Sequence, residues 1–420
     1  MDAPIKAMED LDAYRLRARE WLAGNMPLLN PDAPPFNSMN VSAEDAARAK
    51  VLQQKLHAGG FAGIGFPTEY GGQGLTREHQ RVFTEESRPY EMPFVFNTPT
   101  LTIIAPTILE MGTEEQKVRY ISAMIRGEEL WVQFMSEPSG GSDMASATTS
   151  AIFDGQNYLL NGSKIWSSYA YFSDYAICLA RTDWDQIKHR GLSMFIVKIH
   201  QPGITVTQIR QADGAKEFCQ EFFDDVPLPP EDMVGEINTG WTVAQRLLFH
   251  ERASTGGSSP YGSGTTGGLK VSIDDLVELA RKVGKTEDYA TRQLLAEAQV
   301  LQMVQTQMIP RVVKGMEAGV LSPSGGALLR LFGSSFSVRR ASIAFDIAGT
   351  DAVAWGSESK KAGAVGAAYV FRQSRALGGG SAEIQRNIIS ERILNMPREP
   401  ASDTGVPFKD VRRNKGFSKD

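Results

Sequence analysis

Cysteine is all but missing from this chain, where Cys178 and Cys219 are the only two. So small a number argues against a disulfide framework or a cysteine-rich metal site, and it fits a reducing compartment. Histidine is scarce as well. His57, His79, His189, His200 and His250 stand apart without paired ligand spacing, so no metal site is expected. No apolar run is long enough to span a bilayer. The opening residues carry acids and no apolar core segment, so no secretory signal is expected there. A basic excess is lacking too. The formal net charge of −5 argues against nucleic acid or an anionic membrane as the main partner. A cytoplasmic protein is the expectation.

What is present is an ordinary globular composition, 42% hydrophobic and 22% charged over 420 residues, with room for two or three domains' worth of core. Amphipathic spacing predicts helices over 9–24, 43–58, 76–90 and 114–126. The segment 61–74 between them is too rich in glycine and proline for a helix interior. The texture changes after residue 128. Asp154-Gly155 and Asn161-Gly162 are hairpin signals, and strand-like runs follow at 175–182, 191–199, 203–210 and 216–223. Their close spacing predicts an antiparallel sandwich or barrel. Helical patterns return at 241–254, 271–283, 286–318, 324–348, 357–373 and 381–394. The expected fold is therefore α+β: an N-terminal helical domain over 1–128, a middle β-barrel over 129–235, a C-terminal helical domain over 236–400 and a tail over 401–420. Residues 254–268 are Gly/Ser-rich and read as a mobile loop, part of a flexible insertion over 254–270. The Gly-x-Gly-x-x-Gly inside it, starting at Gly262, follows no strand and is rejected as a dinucleotide fingerprint.

One stretch stands out. Ser136-Glu137-Pro138-Ser139-Gly140-Gly141-Ser142-Asp143 offers hydroxyls and backbone N–H groups to an anion, since glycine lets the backbone come close. Lys164-Ile165-Trp166-Ser167-Ser168 then sets an indole plane beside hydroxyls, suited to a flat ring with heteroatoms on its edge. Together they point to a planar, phosphate-bearing cofactor. For either piece alone, a polar turn or a core tryptophan is the plainer reading.

Four spaced motifs carry a family resemblance: Phe66-Pro67-Thr68-Glu69-Tyr70-Gly71-Gly72-Gln73-Gly74, Ser136-Glu137-Pro138 running into Gly141-Ser142-Asp143, Asn161-Gly162-Ser163-Lys164-Ile165-Trp166, and Glu383-Ile384-Gln385-Arg386-Asn387-Ile388-Ile389. Over nearly its whole length the chain resembles the acyl-CoA dehydrogenase flavoproteins. The resemblance implies a C-terminal four-helix bundle, FAD as cofactor, and α,β-desaturation of an acyl-CoA thioester to a trans-2-enoyl-CoA. It also implies an electron-transferring flavoprotein as acceptor and assembly as a homo-oligomer, dimer or tetramer, or as a hetero-oligomer. By position it assigns Ser136 to the flavin pyrimidine edge, Ser142 to the FAD pyrophosphate and the substrate, Trp166 to the isoalloxazine and Ser168 to N5. Phe134, Met135 and Gly141 fall in the same flavin-facing stretch. Gln133 stands where many members have tyrosine.

The chemistry demands one carboxylate, which must face N5 across the substrate in a dry pocket. Many members of the family place it just before the last helix, in a tetrad that reads Gly378-Gly379-Gly380-Ser381 here. Gly379 takes the position of the base and has no carboxyl. A minority place the glutamate on the helix after the barrel, where this chain has His250-Glu251-Arg252. Val243, Leu247 and Glu251 are spaced by four, so the carboxylate projects from an apolar stripe. Glu251 is the expected base, against the plainer reading of a pair with an arginine at a helix seam.

The Gly379 N–H is expected to donate to the thioester oxygen, with Gly380 and Arg252 near the substrate. Ser381 is expected to cap the last helix and, with Glu383, to lie near FAD. On the adenosine side the family's Arg-x-x-Phe becomes Arg281-Lys282-Val283-Gly284. Its glycine-rich pattern becomes Asp346-Ile347-Ala348-Gly349. Arg281, Asp346 and Gly349 are carried over as contacts, with departures that leave room for a partner chain. Two other readings stand beside the active dehydrogenase: a non-catalytic or partner-dependent subunit, and a flavin oxidase or monooxygenase on the same scaffold.

Overall fold

The computed structural model describes residues 8–30, 41–255, 259–264, 273–353, 363–401 and 403–411. These fall into two compact units, one within 1–210, 216–268 and 401–420 and the other within 211–215 and 269–400. The division differs from the expected boundary at 235/236, because the helix that follows the sheet packs in the first unit.

The first unit opens with α1 (Leu11–Asn25), α2 (Ala43–Ala58) and α3 (Arg77–Glu86). A π-helical run, Phe96–Ile104, then continues into α4 (Ala105–Met111), α5 (Glu114–Gln116) and α6 (Ser122–Ile125). Local chemistry starts these helices. Asp10 accepts from Asp12 N and Ala13 N ahead of α1, and Ser42 and Asp45 form a capping box on α2. Thr113 and Gln116 do the same for α5. Their inward faces meet in one core in which Tyr14, Leu22, Phe61 and Phe83 are fully buried, with the rings of Phe61 and Phe83 stacked at 5.1 Å.

The sheet is built from β1 (Trp131–Phe134), β2 (Ser150–Phe153), β3 (Tyr158–Ser168), β4 (Tyr175–Arg181), β5 (Leu192–Lys198), β6 (Ile204–Gln208), β7 (Phe218–Leu228) and β8 (Met233–Val234). It runs β6-β7-β3-β2-β4-β5-β8, with β1 on β4. Most pairings are antiparallel, as expected, but β1 lies parallel to β4 and β2 touches β4 in parallel. The sheet is therefore mixed, and among the recorded pairings β6 and β8 remain its two ends without closing a barrel. The parallel pair is possible because some forty residues of hairpin separate β1 from β4, the length a parallel crossover requires.

Asp154-Gly155 makes the expected turn, with Asp154 Oδ1 accepting from Gln156 N and Asn157 N. Asn161-Gly162 does not. Both residues lie inside β3, at a register shift opposite β7, with Gly162 at φ 135°. A Cβ there would sit 2.8 Å from the Thr149 backbone, so glycine here allows a bulge and a close chain approach. Asn161 bridges to Asp225 on the opposite strand.

After β8 comes α7 (Gly240–Thr255), which packs on β5, on α4 and on the Phe96–Ile104 run. Residues 259–264 overturn the expectation of a mobile loop. Gly262, Ser263 and Gly264 are buried, Ser263 N donates to Asn97 Oδ1, and Tyr261 packs on Phe66 at 4.5 Å. Residues 256–258 and 265–268 of that segment lie outside the described residues. The tail also returns to this unit, where Phe408 is fully buried and its N–H donates to Gln186 O at 2.8 Å.

The second unit holds α8 (Ile273–Lys282), α9 (Tyr289–Glu317), α10 (Gly326–Ala348), α11 (Thr350–Val353), α12 (Gly363–Phe371) and α13 (Ala382–Arg392). α10 is its centre and packs against α8, α9, α12 and α13. The start of the helix expected over 357–373 lies outside the described residues.

Candidate active site

The segment leaving β1 is fastened from beneath. Glu137 is buried, and its carboxylate accepts from Thr148 N at 2.7 Å, Thr148 Oγ1 at 2.8 Å, Thr149 N at 2.9 Å and Lys164 Nζ at 2.9 Å. Burial by itself raises its pKa, but the Lys164 ammonium and the two backbone donors outweigh burial and hold it at about 2. Lys164, fully buried, also donates to Met135 O at 3.1 Å, and Ile165 N donates to Ser136 O at 2.9 Å. A four-residue hairpin, Glu137 N to Gly140 O and back, sets the turn. Phe134 and Met135 are buried in the core, Phe134 against Phe223 at 5.7 Å, so this stretch presents backbone and the half-buried Ser136.

The second register shift of β3 falls between Ile165 and Ser167, which leaves Trp166 without a partner across the strands. Trp166 has a φ of 69° and is 54% exposed, with its indole edge-on to Phe218. A bulged residue in the left-handed region turns its side chain out of the sheet. The core-tryptophan reading is therefore excluded. The neighbouring residues point elsewhere. Ser167 turns inward and donates to Glu221 Oε2 at 2.8 Å, while Ser168 is half-buried. Glu221 is fully buried, and burial pushes its carboxyl up to about 8 against the smaller opposing pull of the Ser167 hydroxyl.

Gly141, Ser142 and Asp143 are exposed at the turn tip. Asp143 accepts from Ser146 Oγ at 2.6 Å and Lys188 Nζ at 2.9 Å. Lys188 also pairs with Asp403 of the tail. Sequence reasoning missed Arg181, which is fully buried on β4 and donates to Ala145 O, Ala147 O and Lys188 O while lying over the Phe408 ring. Arg181 thereby joins the turn, the Lys188 loop and the tail. The one available signal was its place at the end of an apolar strand.

Glu251 lies on α7 where the spacing placed it. Val243 and Leu247 are fully buried, and Glu251, next on that stripe, is half-buried. Its Oε2 accepts from Gln133 Nε2 of β1 at 2.9 Å, so the strand that leads into the Ser136 turn also reaches the carboxylate. α7 is braced on its other side by Glu110, which accepts from Arg246 Nε at 2.6 Å and His250 Nε2 at 3.1 Å. Ser254 bonds Thr102 Oγ1 at 2.7 Å at the helix end. Arg252 is exposed. At the opposite end of α7, Gln186, His189, Arg190, Asn238, Thr239, Trp241 and Thr242 line a cleft of about 530 Å³. Trp241 and Glu251 are separated by roughly 15 Å along the helix axis.

The remaining candidates belong to the second unit. Gly379 and Gly380 have φ values of 69° and 86°, so a side chain at 379 would be strained as well as absent. Ser381 accepts from Ile384 N and caps α13 as expected, and Arg330 donates to Arg375 O and Gly378 O, fixing the glycine turn. Gly349, φ 59°, closes α10 beside the exposed Asp346, while Arg281 is largely exposed and pairs with Glu278. Glu383 is exposed near Arg386.

Comparison with known proteins now names the class. Models of the acyl-CoA dehydrogenase N-terminal, middle and C-terminal domains match residues 33–128, 133–226 and 238–394. The chain belongs to the acyl-CoA dehydrogenase family, FAD flavoenzymes that oxidise CH–CH bonds. Acyl-CoA dehydrogenase IpdE1 of Mycobacterium tuberculosis is 32% identical over 93% of this chain and 99% of its own. Among solved structures, the steroid ACAD Tcur3481-Tcur3483 superposes with a TM-score of 0.75 at 26% identity, covering 94% of this chain and 100% of its own. The ChsE4-ChsE5 complex of Mycobacterium tuberculosis gives 0.68 at 25% identity, over 94% and 100%. No helix among the described residues is long and apolar enough to cross a membrane.

Proposed function

We propose that this chain desaturates an acyl-CoA thioester to the trans-2-enoyl-CoA, with Glu251 taking the α-proton. The observation that carries the reading is the Glu251–Gln133 contact, which sets a carboxylate from a buried helical stripe beside the strand entering the Ser136 turn. The residues fit FAD. Trp166 offers an exposed indole held by a bulge, Ser136 and Ser168 are half-buried just after β1 and at the end of β3, and Ser142 stands on an open turn suited to the pyrophosphate. When bound, the flavin supplies the acceptor for the β-hydride. The protein's own share is to hold the carboxylate on α7 and to set it beside β1.

The cleft at Trp241 suits the nucleotide end of the thioester, since His189 and Arg190 offer donors and Trp241 an aromatic face. The acyl group is bulky or ring-bearing. That choice is supported by the word steroid in the name of one structural relative and by the base standing on α7. Electrons leave to an electron-transferring flavoprotein.

Glu251→Gln tests the assignment: flavin content should survive while turnover drops by orders of magnitude, and full activity would overturn it. A second reading, a chain needing a different partner chain for FAD or substrate, is favoured by the two-chain relatives and by the departures at Asp346 and Gly349. Colourless protein that gains flavin only on mixing with a second chain would support it.

A further inference from the structure

We propose that Gln133 is a positioning residue for Glu251, fixing the carboxylate in one rotamer and keeping a hydrogen bond to it before and after it takes a proton. The proposal rests on Glu251 being the base. Gln133 is well placed to hold something still. Its backbone is paired with Ile177 of β4 in the parallel ladder, and its neighbours Val132 and Phe134 are sunk in the core. Its Nε2 donates to Glu251 Oε2 at 2.9 Å. The other end of the same amide, Oε1, is buried and has no partner among the described residues.

A buried acceptor without a donor carries a desolvation cost, and its presence beside an ionisable group has a chemical use. An ionised carboxylate only accepts, whereas a carboxylic acid also donates through its O–H. The amide head carries a donor and an acceptor on one plane, exchanged by rotation about its terminal bond. Before the step, the amide N–H meets the carboxylate. During it the substrate α-C–H bond breaks, the proton forms a new O–H on Glu251, and the electron pair stays on the substrate. Afterwards Gln133 Oε1 can accept that O–H. A leucine in its place could do neither task, and a methionine has no donor and only a weak thioether acceptor.

The test uses the full-length, flavin-loaded protein and one probe: whichever of a panel of straight-chain, branched and ring-bearing acyl-CoA thioesters reduces the wild-type flavin fastest. Gln133→Met, close in length and without a donor, should lower kcat roughly 10- to 100-fold, the cost of a misplaced catalytic group. KM should be unchanged, and the isotope effect from α-deuterated probe should rise. In a Glu251→Gln background the same substitution should cost nothing further. In the same flavin-loaded protein without probe, the shifts in melting midpoint for Gln133→Met, Glu251→Gln and the double variant should be non-additive.

Unchanged kcat in Gln133→Met, an equal loss in both backgrounds, or additive midpoints would overturn the proposal. Should Glu251→Gln retain wild-type turnover, the base assignment fails and the catalytic role of Gln133 with it. The stability cycle would still report whether the two side chains are coupled, so the two failures are distinguishable.

Discussion

Lys164 Nζ lies 2.9 Å from Glu137 Oε1 with both side chains shut away from solvent, and this pair ties the turn after β1 to the middle of β3. Trp166 is two residues beyond that anchor. The exposed indole that we propose faces the flavin therefore depends on a wholly interior ion pair.

Breaking the pair from one side should be severe. Lys164→Met leaves Glu137 buried without its counter-charge, a loss on the order of 3–5 kcal/mol. It should appear as a lower melting midpoint and a lower ratio of flavin to protein absorbance. The pH dependence has a definite sign. With its carboxyl held at about 2 against an ordinary 4.5, Glu137 contributes stability above pH 4.5 that is lost as pH falls from 4.5 through 2. Unfolding midpoints followed from pH 6 downward should show a steeper fall in wild type than in Glu137→Gln measured relative to its own pH 6 value.

Glu221 should act with the opposite sign. Its folded value of about 8 lies above the ordinary 4.5, so the folded state holds the proton more tightly. The resulting stability is complete below pH 4.5 and is lost as pH rises through 8. Glu221→Gln keeps the shape and the bond to Ser167 but cannot ionise. Its midpoint should stay flatter than wild type between pH 6 and 9, and parallel curves would refute the assignment.

Trp166 is 54% exposed, so Trp166→Ala should change stability by no more than about 0.5 kcal/mol. Flavin retention should suffer more. Loss of an aromatic face costs about 0.5–1.5 kcal/mol, or about two- to tenfold in the dissociation constant measured by quenching of flavin fluorescence. Trp166→Phe should recover most of it.

Residues 260–264 are held by Asn97 and by the Tyr261–Phe66 contact, close to where Ser254 anchors the end of α7. Tyr261→Ala should therefore alter the ratio of kcat/KM between ring-bearing and straight-chain acyl-CoA thioesters. An unchanged ratio would remove this segment from the acyl pocket.

Where the determining interactions are local, the sequence was sufficient. Ser381 caps α13 as expected because a hydroxyl three residues before an amide settles the matter within one turn of chain. The apolar stripe of Val243 and Leu247 set the side of α7 from which Glu251 projects, since helical period alone fixes it. The helix–sheet–helix order followed from the same periodicities.

Other features depend on contacts no local pattern encodes. Asn161-Gly162 carries a turn signal, yet pairing with β7 holds it inside a strand as a bulge. Residues 259–264 have linker composition, yet Asn97, far away in sequence, buries them. The indole of Trp166 faces outward only because β3 and β7 slip register at that residue. Gln133 and Glu251 are 118 residues apart. Sequence alone determined which side chains were available and which faces they occupied. The tertiary structure decided which of them meet, because hydrogen bonds and burial act over ångströms of space whatever the distance along the chain.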